Sequence, residues 1–229
     1  MNGCKDTLID SVNVNEPEVR LFTSEYDTTI CFGDSVTFNT FNSLDNYQFF
    51  INNDSVTSLD TTNIFITTAL NNNDTIEVRG ELNGCPITSN NYIYTVNNNP
   101  PLTSSLSSNS DTICSVDNVT FTGGGADLYQ FFKNGTQFTL ASSIDSFVLV
   151  GLSTNDSVHV VGSYNITGCK TQSTKHIFTV NPMPNIALTN TTGTPICQGE
   201  LLNLSATGAN TYQFYINGIT QGAFSATNT

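Results

Sequence analysis

The residues with most chemistry to offer are six cysteines, two histidines and an excess of acids: 19 Asp plus Glu against 6 Lys plus Arg in 229 residues. The cysteines fall into two classes by context. Cys31, Cys114 and Cys197 each follow Ile and precede a run such as Val36-Thr37-Phe38, whereas Cys4, Cys85 and Cys169 each follow a glycine in a turn. Pairing one of each class predicts disulfides Cys31–Cys85 and Cys114–Cys169, with Cys4 and Cys197 left over. Closing loops of that size stabilises a small domain by about 4 kcal/mol in the chain-entropy model, and such bonds imply an oxidising compartment. Zinc fits worse, because close-spaced cysteine pairs and paired histidines are missing.

The two histidines, His159 and His176, give little for acid–base catalysis. Aligned copies of the chain place Glu77 and Tyr92 where they stand, so neither recurs. No catalytic residue is assigned, and the expectation is that the chain is not an enzyme. Among the acids only Asp34 with Asp117, Asp45 with Asp127 and Asp74 with Asp156 recur, and Asp is a routine turn former at such places. Residues 16–99 carry 11 acids and 2 bases, residues 100–182 only 5 and 3. Acidity is therefore not built into the repeat; no metal site is assigned, and a structural calcium ion is the one cofactor the oxygen-rich loops would suit.

Those alignments rest on a period of about 83 residues. Ile30-Cys31-Phe32-Gly33-Asp34-Ser35-Val36-Thr37-Phe38 returns as Ile113-Cys114-Ser115-Val116-Asp117-Asn118-Val119-Thr120-Phe121 and, more loosely, from Ile196-Cys197; Tyr47-Gln48-Phe49-Phe50 returns at Tyr129 and Tyr212. Repetition at this period means tandem modules. The expected division is 1–15 (end of a preceding module), 16–99 and 100–182 (two whole modules) and 183–229 (start of a following one), with Met1 aligned to Leu82 and Thr229 to Ile64. Val-Asn followed by proline marks each seam, as at Pro17, Pro100-Pro101 and Pro182, and proline stiffens such joints.

Within a module, β-branched and aromatic residues alternate with polar ones and turn residues bound each run, which reads as strands. Val36, Phe38 and Thr40 share a face, as do Tyr47 and Phe49; Phe65 with Leu70, Ile76 with Val78, and Tyr94 with Val96 follow. Val119, Phe121, Phe147, Leu152, Val158, Val160, Phe178 and Val180 match them in the next copy, and Val12 and Val14 match Tyr94 and Val96. A Gly-Cys hairpin joins the last two strands. About seven short strands give an all-β, two-sheet sandwich. If Tyr47 and Phe49 point inward, Phe50, Phe132 and Tyr215 point to the other face, a stripe that could stack on a glycan or partner unless neighbouring chain covers it.

The Ile-Cys-x-Gly-Asp-Ser-Val-Thr-Phe opening, the Tyr-Gln-Phe-Phe-x-Asn strand, the Asn-Asp-Thr/Ser-Ile/Val strand and the Gly-Cys hairpin together resemble the immunoglobulin-like and PKD-like repeats of giant Bacteroidota surface adhesins, the gliding-motility proteins and type IX secretion substrates. The resemblance covers essentially the whole chain, although the chain has no Trp and its cysteines flank strands. It implies tandem modules linked end to end in a secreted, cell-surface stalk or adhesin, with neighbouring modules of the same chain as partners. Surface glycans or other cell-surface proteins are further partners. The Asp-Ser/Thr-apolar triplets at Ser35, Ser55, Thr75 and Ser157 resemble the O-glycosylation signal of that group. Few basic residues argue against nucleic acid, and the absence of a long apolar run argues against direct membrane insertion.

Overall fold

The computed structural model describes residues 18–25, 27–41 and 43–227. Among them the chain is all β, with 24 short strands and no helix. Ten strands surround a first core: β1 (Leu21–Thr23), β2 (Thr29–Cys31), β3 (Val36–Thr40), β4 (Asn46–Ile51), β5 (Asp54–Ser55), β6 (Ile64–Thr67), β7 (Thr75–Leu82), β8 (Cys85–Thr88), β9 (Tyr92–Ile93) and β10 (Thr95–Asn97). They form an antiparallel β1-β3-β6 sheet, a second sheet ordered β5-β4-β7-β8 with β9 also on β7, and a parallel β10-β2 pair. The two antiparallel sheets face each other across the core, as in a β-sandwich.

Alternation decides which side chains fill that core. Val36 and Phe38 from one sheet meet Phe49, Ile76 and Val78 from the other, all fully buried. Phe65 stacks on both Phe38 and Phe49, and Tyr94 meets Phe38 edge-on. The recurrent tyrosine of the Tyr-Gln-Phe-Phe strand is amphipathic for a reason. Its ring is buried in Tyr47 and Tyr129 and half-buried in Tyr212, while its hydroxyl accepts a hydrogen bond from the N–H three residues upstream: Leu44 for Tyr47 at 2.7 Å, Ala126 for Tyr129 at 3.1 Å and Ala209 for Tyr212 at 2.9 Å.

The pairing repeats in β11 (Thr103–Leu106), β12 (Thr112–Cys114), β13 (Val119–Gly124), β14 (Leu128–Lys133), β15 (Thr136–Gln137), β16 (Ser146–Leu149), β17 (Ser157–Ser163), β18 (Lys170–Gln172), β19 (His176–Ile177) and β20 (Thr179–Asn181). A second, separate core gathers Val119, Phe121, Phe131, Val158, Val160 and Phe178. Beyond it lie two antiparallel pairs, β21 (Ala187–Asn190) with β22 (Leu204–Thr207) and β23 (Tyr212–Ile216) with β24 (Ile219–Ser225).

Two expectations differ from the structure. Phe147 is 40% exposed and packs on Phe138, because Leu149 in the same strand faces Val119 and takes the core place. The Gly-Cys hairpin joins β7 to β8, which is not the last strand; the chain then splits into β9, which stays with β7, and β10, which crosses to pair in parallel with β2. Tyr94 sits at that crossing with no exposed surface. Val12 and Val14 lie outside the described residues.

Two markers read separately in the sequence form one lock. Asn134, in the left-handed conformation after β14, donates from Nδ2 to Asp156 Oδ1 at 2.8 Å and accepts from the Ser157 N–H at 2.8 Å; Asn52, Asp74 and Thr75 repeat the arrangement. The Asn134 amide above all, then the Ser153 N–H and Lys133, hold the Asp156 carboxyl down to about 2, against partial burial that pushes it up. A carboxyl whose folded-state value lies below its unfolded value stabilises the fold above about pH 4 and loses that contribution as pH falls through about 2. Asp156→Asn is therefore expected to cost about 1–2 kcal/mol at neutral pH, the worth of a partly exposed charge-assisted network. Acid titration of the unfolding midpoint between pH 5 and 2 should be shallower in the variant than in the parent; equal slopes would remove Asp156 from the acid response.

Candidate functional site

Among the described residues there is one disulfide, Cys31–Cys169, with Cα atoms 5.4 Å apart. The expected pairs Cys31–Cys85 and Cys114–Cys169 are not formed; Cys85, Cys114 and Cys197 are exposed free thiols, and Cys4 lies outside the described residues. Register supplies the reason. Cys31 pairs with Asn97 at the end of β10, beside the start of β7, since Tyr94 N–H donates to the Asp74 carbonyl. Cys85 pairs with Leu82 at the other end of β7. Seven strand steps separate the two ends, roughly 23 Å, whereas a disulfide needs Cα atoms within about 7 Å.

The same holds between Cys114, which pairs with Asn181, and Cys169, which lies beyond the far end of β17 and accepts at its carbonyl from the Tyr164 N–H. What Cys31 does meet is the seam. Cys169 Sγ lies 4.0 Å from the Asn97 carbonyl oxygen, Thr171 Oγ1 donates to the Pro100 carbonyl at 2.7 Å, and Asn99 Nδ2 donates to the Phe32 carbonyl at 2.8 Å. The bond thus ties the end of the first core to the start of the second across the Pro100-Pro101 joint. Its 138-residue separation corresponds to about 5 kcal/mol of chain entropy. The bond fits an oxidising compartment. Among the described residues no helix is long and apolar enough to cross a membrane.

The recurrent acids are occupied by backbone. Asp34 Oδ2 accepts from Cys31 N at 2.9 Å and Asp117 Oδ2 from Cys114 N at 2.8 Å, with Glu200 doing the same for Cys197 at 2.7 Å. Asp45 and Asp127 accept from the N–H groups of Asn83 and Asn165 in the β7–β8 and β17–β18 loops. Among the described residues no group of three His, Cys, Asp or Glu is placed to hold a metal ion.

Two members of the aromatic stripe are covered from within the sheet. Arg79 stands over the Phe50 ring at 4.1 Å, held by Glu77. His159 stacks on Phe132 at 4.7 Å and 8°. Tyr215 is 58% exposed. His159 is itself buried, its Nδ1 has no hydrogen-bond partner among the described residues, and burial, then the Lys175 charge, push its pKa down. Of the glycosylation candidates, Ser35 and Ser55 are exposed, while Thr75 and Ser157 are half-buried and give their N–H groups to the Asn52 and Asn134 side chains.

A constellation missed by sequence reasoning lies beside an open hollow of about 350 Å³. His176 Nδ1 is 2.8 Å from Asp111 Oδ1, and its Nε2 is 3.5 Å from Ser104 Oγ. That is the order of a serine nucleophile, its base and the orienting acid. Acyl transfer also needs unengaged N–H donors for the oxyanion. Near the hollow, the N–H groups of Ser107, Asn109 and Thr112 already donate to Thr120 O, Leu106 O and Ser110 Oγ. The Phe121 ring packs against His176 in a T-shaped contact, centroids 5.6 Å apart. The only trace in the sequence is paired departure from the repeat: His176 where Tyr92 stands, together with Asp111 where Thr28 stands.

Two outcomes are expected. An alkyl fluorophosphonate should leave Ser104 unlabelled by peptide mass spectrometry; labelling that disappears in His176→Phe would establish a hydrolase site. The unfolded chain should take up a proton at His159 before the folded one as pH drops below about 6.5, destabilising the fold there. His159→Phe should therefore flatten the decline in thermal midpoint between pH 8 and 5, and an unchanged decline would clear His159. No family model matches the chain, and no match to it is found among the curated proteins.

Proposed function

We propose that the chain is a non-enzymatic segment of an extracellular stalk, built from immunoglobulin-like β-sandwich modules spanning 16–99 and 100–182, in the manner of the Bacteroidota surface adhesins it resembles. The observation that carries this reading is the Cys31–Cys169 bond across the proline seam. A disulfide placed between two cores, each already buried on its own residues, fixes how the units stand relative to each other. Rigid spacing is what a stalk needs and what a freely jointed string of enzymes or binding modules does not. The recurrent residues support it as well, since tyrosine, Asn–Asp lock and turn acids all serve the fold.

The rival reading is a glycan- or protein-binding module working through the aromatic stripe, and Tyr215 is its best remaining member. Two experiments separate them. Antibodies raised against the chain should stain intact, unpermeabilised cells of the source organism, and staining that required permeabilisation would overturn the stalk. On a glycan array the chain should give no saturable signal. Saturable binding lost in Tyr215→Ala or Phe132→Ala would replace the stalk by the binding module.

A further inference from the structure

The free thiols Cys85 and Cys114 stand on copies of the two surfaces that the Cys31–Cys169 bond joins. Cys31 closes β2 against Asn97, its N–H donates to Asp34, and the next N–H, of Phe32, donates to the Asn97 carbonyl at 2.9 Å. Cys114 closes β12 against Asn181, its N–H donates to Asp117, and the next N–H, of Ser115, donates to the Asn181 carbonyl at 2.9 Å. The two platforms share these hydrogen bonds, and each opens on a proline seam. Cys85 in turn begins β8 after the β7–β8 hairpin, as Cys169 directly precedes β18 after the β17–β18 loop. The difference is solvent: Cys169 is 1% exposed against the neighbouring unit, while Cys85 and Cys114 are exposed.

We propose that each Ile-Cys cysteine is the donor site for a covalent bond to the Gly-Cys cysteine of the following unit, so that Cys114 and Cys85 are docking thiols for sister modules of the same fold. A chain of such units is then a ladder of interlocked disulfides, one per joint, with none inside a module. The partner surface is a Gly-Cys hairpin presented just beyond an Asn-Pro seam. This inference concerns the joint and stands whether or not the chain is displayed on a cell.

Bond formation requires an oxidant, and a small-molecule disulfide such as glutathione disulfide supplies it in two exchange steps. The Cys114 thiolate attacks one sulfur of the oxidant, forming a mixed disulfide and expelling one glutathione thiolate. The thiolate of the partner hairpin then attacks the Cys114 sulfur, forming the protein disulfide and expelling the second glutathione thiolate. Two cysteine thiols are oxidised, one glutathione disulfide is reduced to two thiols, and the atoms balance.

The test inserts a second copy of residues 98–181 directly after Asn181 of the full chain, so that the second joint repeats the sequence of the first. In the inserted copy Cys114→Ser removes the competing thiol and Lys170→Arg, at an exposed position, marks the peptide that carries the inserted Gly-Cys cysteine. After refolding with reduced and oxidised glutathione, a non-reduced digest is read by mass spectrometry. Cys31 is expected on the unmarked peptide and Cys114 on the marked one, each at near-full occupancy. Cys114 found free, linked to the unmarked peptide or linked to Cys197 overturns the ladder while leaving the first joint standing. Loss of the Cys31 link to the unmarked peptide overturns the ladder together with its premise. Cell-surface staining is untouched by any of these outcomes.

Discussion

A disulfide can close only where two Cα atoms come within about 7 Å, and in this chain strand length decides where that is. β7 and β17 each run the length of a core and hold one cysteine class near either end. Neither Cys31 nor Cys114 can therefore reach the Gly-Cys cysteine of its own core, and the observed bond crosses a joint. Everything at the seam follows from that separation: the Thr171 and Asn99 side chains bonded to carbonyls of the neighbouring stretch, and the burial of Cys169.

The small cores survive without an internal staple because their polar loops are locked by local hydrogen bonds. A unit of about 80 residues is near the lower limit of what one core stabilises. Here the Asn–Asp lock, the tyrosine hydroxyl on the preceding turn and the acids under each Ile-Cys backbone fasten the turns to the strands by local hydrogen bonds. The residues that recur are thus explained by folding, and the ones that do not, His159, His176, Arg79 and Asp111, are local variations on it.

Much of this architecture is legible from alternation and repetition. Val36, Phe38, Phe49 and Val78 could be placed in the core from the period of two alone, because one face of each strand must be dry. The cysteine pairing was not legible, and the reason is symmetry. When every copy owns one cysteine of each class, pairing within a copy and pairing with the next copy leave the same mark on the sequence. Only strand register distinguishes them. Phe147 was misplaced for a similar reason, since Phe147 and Leu149 lie on the same face and sequence alone does not say which reaches the core. The Ser104–His176–Asp111 grouping was hidden because it joins residues 72 and 65 positions apart with no recurring counterpart.

The bond between Cys31 and Cys169 also makes a ring of the backbone between them. A protease that cuts once inside that ring, at the 95%-exposed Ile166 for instance, produces two polypeptides that remain one molecule. Exposed loops between the two cysteines can therefore be nicked without releasing anything downstream. In an environment rich in proteases, a cut inside the ring parts the two ends only once the bond is reduced, whereas a cut outside it releases a terminal piece at once.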